Sequence, residues 1–353
     1  AKWALGKIFY DPDGSWDIYH FHHSLFALMA VCQYAVAAND LEMLKHVDKC
    51  YLWAKQMGDQ LLGYYTEWMP GSELYLQCQQ GNSVEICEVS DMILLALYLT
   101  KAGIGDYWDD IDRWTRNMLS EGQMLTTNFL DGLPNEYFAN EPRNRPYEYS
   151  QQVMERTKGS FFGWMSANDG IRLNRTENGV ELPDRSIMHC CTANGALAMY
   201  YVLDSIINKK NDCVFVELLL NKSSRWLDIK SFIPIEGKVI LNIKDAKEVS
   251  IRIPEWSNTK SVHIQGANEV RINGKYLGIS NLSKGQIITV NFILPEKVIH
   301  RVIGERPYKL TLKGSEVTSI YPRGTVYPLF NKNRNLGLIS KPNFISNKQR
   351  IIW

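Results

Sequence analysis

HCCTANG, at residues 189–195, places Cys190 and Cys191 side by side at the start of an apolar segment that runs to Ile207. Thiolates are strong nucleophiles and soft metal ligands, and the free amide groups at a helix start favour their charged form. Adjacent cysteines seldom form a disulfide with each other, because the small ring that would close is strained. The pair therefore predicts two free thiols that hold a metal ion or attack a substrate.

A second thiol motif lies about a hundred residues upstream, where Glu85 and Cys87 stand at the start of another apolar helix. Together with Cys190 and Cys191 they form a set of three thiolates and one carboxylate, which suits Zn²⁺ by ligand type. The spacing is not that of a zinc finger, and the alternative is a group of ordinary buried thiols. That alternative is the interpretation preferred for three other cysteines: Cys32, Cys50 and Cys213.

The composition predicts a soluble globular protein of two domains, since 45% of the 353 residues are hydrophobic and 22% are charged. Residues 1–210 carry 27 acids and 17 bases, whereas residues 211–353 carry 11 acids and 22 bases. The basic half has no arginine-rich block or aromatic ladder, so a nucleic-acid partner is not expected. No apolar run is long enough to span a membrane, and an odd number of cysteines, seven, favours reduced thiols. A soluble cytoplasmic or periplasmic protein is expected.

The pattern of apolar residues predicts two helical hairpins before the Cys190 helix. In each pair the first helix is almost wholly apolar and the second is amphipathic, as expected for inner helices wrapped by outer ones. Three acids of the last helix, Asp109, Asp110 and Asp112, are expected on a solvated face. Residues 119–186 read as a long connection, either functional or packed as a surface arm. The four helices span approximately residues 20–37, 40–57, 84–101 and 106–118, and the Cys190 helix is expected to end at residues 208–210.

Beyond Asp212 the period of the apolar residues changes from 3.6 to 2, which predicts strands. The clearest predicted strands are 214–216, 238–243, 250–253 and 287–292, separated by turns such as Glu236-Gly237 and Asn273-Gly274. The sequence thus predicts a helical domain at residues 1–210, which carries the site, and an antiparallel β-sandwich at residues 211–353.

These motifs together resemble glycoside hydrolase family 127, the β-L-arabinofuranosidase-like proteins. The resemblance is carried by Glu85-x-Cys87, by Cys190-Cys191-x-x-Asn194-Gly195, by residues 107–110 (YWDD) and by the strand phrase 251–256 (IRIPEW) with Ile272-Asn273-Gly274. It implies an (α/α)6 barrel followed by a β-sandwich. It also implies that this chain supplies only the C-terminal part of the barrel, completed by a missing N-terminal segment or covered in a homo-oligomer, and has little activity alone.

The resemblance assigns roles to individual residues. Glu85, Cys87, Cys190 and Cys191 would bind zinc, and Cys190 would be the nucleophile of a retaining glycosidase that acts on an L-arabinofuranoside of a plant oligosaccharide or glycoconjugate. Glu73 is the best match for the acid/base, with Glu67 as the alternative. In the family a histidine at the start of an inner helix contacts the sugar, and His23 fits that place better than His20 or His22. From the residues alone, His22 or His23 is expected to line the pocket, and Trp164 or Phe161 is expected either to stack on a sugar ring or to be buried in the long connection. The competing interpretation is a non-catalytic glycan-binding or scaffold protein with a structural zinc ion.

Overall fold

The structure, a computed structural model, describes residues 20–69, 83–129, 153–175, 181–183 and 187–331. These residues form helices and mainly antiparallel sheets, arranged in two compact units. Within the described part, the first unit holds the residues up to Met199 together with 299–310 and 320–330. The second holds Tyr200–Val298 and 311–319.

The predicted helical hairpins are confirmed, with ends that differ from the predicted ones by a few residues. Asp40 begins the second helix, because its carboxylate accepts a hydrogen bond from the Met43 amide at 3.0 Å. Gly103, with a φ of +74°, lies in the turn that joins the second pair. The helices are α1 (Phe21–Ala37), α2 (Leu41–Ala54), α3 (Ile86–Lys101), α4 (Trp108–Trp114), α5 (Val153–Thr157) and α6 (His189–Ser205).

Helix α3 is the central helix of the first unit. It is buried along almost its whole length, including the polar residues Glu88, Ser90 and Asp91, and it packs against α1 and α4. Helix α2 buries a single stripe against its neighbours. Helix α3 is thus buried as its apolar pattern predicted and α2 shows the predicted amphipathic stripe, whereas α1 exposes Phe26 and Tyr34 and α4 is buried on nearly all sides.

The three acids of α4 were expected on a solvated face, and that prediction is wrong. Each is at most 8% exposed: Asp109, Asp110 and Asp112. Asp110 accepts hydrogen bonds from the Tyr51 hydroxyl at 3.0 Å and from the Lys55 ammonium at 2.5 Å. Its second oxygen accepts from Arg113 at 2.7 Å. The local sequence could not indicate this burial, because two of the partners of Asp110 come from the end of α2, more than fifty residues earlier in the chain.

The end of the Cys190 helix also differs from the sequence prediction. Helix α6 ends at Ser205, and residues 207–210 form strand β5, which pairs with β6 (Cys213–Val216) in a hairpin. Asn211 turns this hairpin with a φ of +54°, a conformation that asparagine tolerates better than most residues. The helical pattern therefore stops one turn earlier than expected.

Two five-stranded sheets form most of the second unit, with the strand orders β12-β13-β10-β6-β5 and β11-β14-β9-β8-β7. In β9, alternate residues such as Val239 and Leu241 are buried, which is the predicted period of 2. Strands β10 and β6 are parallel, against the expectation of purely antiparallel sheets. This pairing arises because the chain builds β7, β8 and β9 of the other sheet before it returns as β10. The strands are β7 (Lys222–Ser223), β8 (Leu227–Ser231), β9 (Lys238–Ile243), β10 (Glu248–Arg252), β11 (His263–Gln265), β12 (Glu269–Asn273), β13 (Tyr276–Ser280) and β14 (Ile287–Asn291).

The remaining strands form three smaller sheets. A three-stranded sheet has the order β15-β16-β17, and two short hairpins are formed by β1 with β2 and by β3 with β4. Their bounds are β1 (Gly58–Asp59), β2 (Tyr64–Tyr65), β3 (Leu173–Arg175), β4 (Glu181–Pro183), β15 (Glu296–Ile303), β16 (Arg306–Lys313) and β17 (Glu316–Tyr321). No helix among the described residues combines the length and the apolar character that a membrane crossing requires.

The segment that follows β17 is tied to the helical unit by Asp169. Its carboxylate accepts hydrogen bonds from the backbone amides of Thr325, Val326 and Tyr327 at 2.6–2.8 Å, and from that of Ile171 at 3.0 Å. The Tyr327 carbonyl accepts in return from the Gly170 amide at 2.9 Å. One buried carboxylate thus satisfies four amide groups that have few alternatives.

We expect Asp169→Ala to lower the free energy of unfolding by about 2–4 kcal/mol, because amide groups that bonded to a charged acceptor are left without it. Urea unfolding followed by circular dichroism would measure the change. The matched control is Asp245→Ala, which removes an exposed carboxylate and should leave stability nearly unchanged. Equal stabilities of the two variants would contradict the role given to Asp169.

Candidate active site

The start of α3 and the start of α6 bring three thiols together. The sulfur atoms of Cys87 and Cys191 lie 3.6 Å apart, and the ligand atoms of Cys87, Cys190 and Cys191 all lie within 4.8 Å of one another. The amide of Asn194, one turn into α6 from Cys190, donates to the Cys87 sulfur at 3.3 Å. Side chains that are 104 residues apart in the chain are therefore held in one cluster.

The thiols differ in their access to solvent. Cys87 and Cys191 are fully buried, whereas Cys190 is half-buried. Part of the cover comes from the long connection: a Cβ atom at Gly163 would lie 3.3 Å from the Cys191 sulfur. A side chain at this position would contact the cluster closely. Cys190 is accordingly the thiol that an external molecule can reach.

The described part of the long connection is packed against the helices. Phe161 is 2% exposed, and its ring occupies the space that a Cβ atom at Gly195 would need. Its amide bonds to the Thr192 hydroxyl at 3.3 Å, and Met165 exchanges backbone hydrogen bonds with Val84. Phe161 is thus a packing residue. Trp164 remains half-buried, with a left-handed φ of +57°.

A cluster of carboxylates adjoins the thiols. Ligand atoms of His20, Glu67 and Glu85 lie within 4.8 Å of one another. Burial and the Glu67 charge raise the pKa of Glu85 to about 7, and burial followed by the Glu85 charge raises the pKa of Glu88 well above its usual range. Glu88 also accepts a hydrogen bond from the Glu85 amide at 3.0 Å, which fixes the helix start. Acidic groups are therefore concentrated where α3 begins, and burial with their mutual proximity favours their protonated forms.

The thiols are affected by the same surroundings. The hydrogen bond to Cys191 and burial raise the pKa of Cys87, and burial and the Cys87 thiol raise the pKa of Cys190. For Cys191 the hydrogen bond from Cys87 lowers the pKa, but burial and the Glu85 charge outweigh it. The sequence predicted that helix starts favour thiolates. In the protein alone, burial and neighbouring negative groups reverse that preference.

Of the three histidines that begin α1, His22 has the strongest partner. Its Nδ1 atom lies 2.6 Å from a carboxylate oxygen of Asp91, which is 1% exposed. Burial lowers the pKa of His22, but the hydrogen bond and the charges of Asp91 and Glu85 outweigh it and raise the pKa above its usual value. A carboxylate in this position orients the imidazole ring and supports its protonated form.

The other two histidines have different surroundings. His23 is exposed and stacks on His20, with ring centroids 4.4 Å apart. Burial and the nearby rings of His23 and His22 lower the pKa of His20 to about 4, so His20 is neutral at neutral pH. Its Nε2 atom lies 4.0 Å from the Glu67 carboxylate.

The two acid/base candidates are not equally placed in the structure. Glu67 is 7% exposed, accepts a hydrogen bond from the Ser83 hydroxyl at 3.3 Å and lies in the carboxylate cluster. Glu73 lies outside the described residues.

Sequence reasoning missed the contacts of Asn194 and Asp91. Each stands four residues after a cysteine of the cluster, Cys190 and Cys87 respectively, and so lies on the same helix face as that cysteine.

The donor set fits Zn²⁺. Tetrahedral zinc with bonds to sulfur of about 2.3 Å places its thiolates about 3.8 Å apart, close to the separation of Cys87 and Cys191. The Glu85 carboxylate is grouped with His20 and Glu67 and not with the three thiols, so the described geometry brings together three of the four expected ligands. A dication would relieve the repulsion among these buried acidic groups and hold the thiols as thiolates.

Comparison with solved structures identifies the fold. A family 127 β-L-arabinofuranosidase from Geobacillus stearothermophilus T6 matches 84% of the chain with a TM-score of 0.55 and 17% identity. A second family 127 β-arabinofuranosidase matches equally well, and a further glycoside hydrolase matches 85% of the chain with a TM-score of 0.57 and 12% identity. The fold is similar to that of family 127 glycoside hydrolases. The resemblance drawn from the cysteine motifs is thereby confirmed at the level of fold.

The match is partial in length. The chain spans about half of each of these structures: 46%, 47% and 51% of their lengths. No protein-family model matches the chain, and no curated protein is similar to it in sequence.

We expect the purified protein to contain one zinc ion per chain, and Cys87→Ser and Cys191→Ser to lose most of it, because a tetrahedral site without one thiolate binds far more weakly. Metal analysis after dialysis against a weak chelator would measure this. Cys213→Ser is the control, since that half-buried thiol lies in β6. Zinc content that is unchanged in the Cys87 and Cys191 variants would place the metal elsewhere.

Proposed function

We propose that the protein is a retaining glycoside hydrolase whose nucleophile is Cys190, held in a zinc site with Glu85, Cys87 and Cys191. The observation that carries this proposal is the thiol cluster in which Cys190 alone is open to solvent. A purely structural zinc site has no need for an accessible sulfur beside buried acids, whereas a nucleophile must reach its substrate.

The reaction would proceed in two displacements. The Cys190 sulfur attacks the anomeric carbon and forms a C–S bond, while the bond to the leaving oxygen breaks and a carboxylic acid protonates that oxygen. In the second step the same group, now a carboxylate, removes a proton from water, and the water oxygen displaces the Cys190 thiolate. Zinc would supply thiolate character at neutral pH, with Cys87, Cys191 and Glu85 as its other ligands.

The acid/base would be Glu73, with Glu67 as the second candidate. Glu67 is supported by its burial and by its position beside Glu85, surroundings that suit a carboxyl group able to exist in either protonation state. Glu73 is supported by the family resemblance of residues 71–73 (GSE).

Sugar contacts would come from the start of α1 and from the long connection. His22 is supported by its hydrogen bond to Asp91, which leaves Nε2 as the ring atom available to a hydroxyl group. His23 is supported by its exposure, and Trp164 by its place next to Gly163, which adjoins the Cys191 sulfur. We propose an L-arabinofuranoside as the sugar, since both family 127 neighbours carry arabinofuranosidase activity in their names.

The finer architecture belongs to the same proposal. Helical hairpins with buried inner helices support part of an (α/α)6 barrel at residues 1–210. Two five-stranded sheets with alternate buried residues support a β-sandwich at residues 211–353.

To test the nucleophile, we expect Cys190→Ser to reduce turnover of an aryl β-L-arabinofuranoside by at least about a thousandfold, because serine lacks the nucleophilicity of a thiolate. A sugar-based inactivator that reacts with cysteine should label Cys190 in the wild-type protein, as read by peptide mass spectrometry. Cys213→Ser should retain full turnover. Labelling of Cys191 would reverse the assignment, and turnover by Cys190→Ser would support a zinc site without a catalytic role.

The acid/base can be assigned by comparing Glu67→Gln with Glu73→Gln. The variant that lacks the acid should lose turnover of a glycoside with a poor leaving group, yet still cleave one with an activated leaving group in the first step, because that oxygen needs no proton. Single-turnover release of the aryl group would distinguish the two steps. Equal loss on both substrates would indicate a structural role for the residue concerned.

A further inference from the structure

The first compact unit contains an open cavity whose lining residues are distinct from those of the thiol cluster. It lies at strands β15 and β16 and at the end of β17, has a volume of about 840 Å³ and is also lined by Asn168. Every residue that lines it belongs to the first unit. This volume is in the range of ligand-binding sites.

Basic side chains give the cavity its charge. His300 and Arg301 of β15 and Arg306 and Lys309 of β16 line it, and no Asp or Glu does so among the described residues. The Arg301 Nε atom lies 4.0 Å from a carboxylate oxygen of Asp59, and the Arg301 side chain is 52% exposed. The cavity therefore concentrates positive charge that faces solvent, within the basic C-terminal part of the chain.

The rest of the lining is apolar and flat. Tyr321 and Val302 are each 69% exposed, and Pro307 and Pro322 stand beside the basic residues. An exposed tyrosine ring offers a face against which a sugar ring can lie, and a hydroxyl group at its edge. Guanidinium groups bind carboxylates through two parallel hydrogen bonds.

We propose that this cavity binds an acidic carbohydrate, with the carboxylate of a uronic-acid residue held by Arg301 and Lys309 and the sugar ring against Tyr321. The proposal builds on the proposed function, since it adds a carboxylate-bearing glycan as the substrate class. The charge of the cavity selects a carboxylated ligand over a neutral one. The exposed tyrosine and the two prolines favour a sugar ring over inorganic phosphate or polyphosphate, which has no apolar face to pack against them.

The test compares oligogalacturonate with the same oligosaccharide in methyl-esterified form, which keeps the rings and removes the charge. Calorimetric titration of the Cys190→Ser protein separates binding from hydrolysis. Oligogalacturonate should bind more tightly than the ester by about tenfold or more, and its affinity should fall as salt is raised. Equal affinity for the ester would overturn the proposal, as would tighter binding of a single-stranded oligonucleotide.

Variants locate the site. Arg301→Gln and Lys309→Gln, both exposed positions, should each weaken oligogalacturonate binding several-fold, and the double variant by about tenfold or more. Lys297→Gln, an exposed residue of β15 outside the lining, should bind as the parent does. Thermal melting would verify that each variant is folded. Undiminished binding by the double variant would overturn the proposal.

A final measurement distinguishes this proposal from the proposed function. Turnover of a small aryl arabinofuranoside should be the same in the Arg301→Gln/Lys309→Gln protein as in the wild-type protein, because that substrate carries no uronate. Loss of aryl glycoside turnover in the double variant would count against a separate subsite. Oligogalacturonate binding is measured without turnover, so its outcome decides the subsite even where the parent shows little aryl glycoside turnover.

Discussion

The contact between the Cys87 and Cys191 sulfurs, 3.6 Å apart, is the constraint on which the candidate site depends. It requires the first turns of α3 and α6 to meet, and each turn is held independently. The Glu88 side chain bonds to the Glu85 amide at the start of α3, while Phe161 fills the space beside Gly195 in α6. Since α3 is buried nearly along its whole length, its first turn has little freedom to withdraw, and the thiols remain together.

Buried charge is handled in two ways in the helical unit. Around Asp110 the protein supplies its own cations, because Lys55 and Arg113 both donate to that carboxylate. At Glu85, burial and the charge of another carboxylate raise the pKa of the carboxyl group. The thiols lie next to these carboxyl groups. The first arrangement is complete without a ligand and stabilises the packing of α4. The second is the one that gains from a bound dication, and this difference separates a structural network from a candidate active site.

The first compact unit therefore holds two features of different character, a mostly buried cluster of thiols and carboxyl groups and an open basic cavity. The thiol and carboxylate cluster lies where α3 and α6 begin, whereas the basic cavity lies at β15 and β16. Asp169 joins the segment after β17 to the helical part of that unit through three backbone amides, so the residues near the cavity are attached to the same body as the cluster.

The sequence by itself determined the elements with strong local periodicity and the chemical nature of the cluster. Helices α1 and α3 and strand β9 follow from the spacing of apolar residues, and the motifs at Cys87 and Cys190 identified which sulfurs would meet. Only the tertiary structure decided that Asp110 is buried, that Asp91 orients His22 and that Cys190 is the accessible thiol. The physical reason is that burial and hydrogen bonding depend on partners from distant parts of the chain, such as Lys55 for Asp110 and Gly163 for Cys191. The spacing of residues along one element carries no record of those partners.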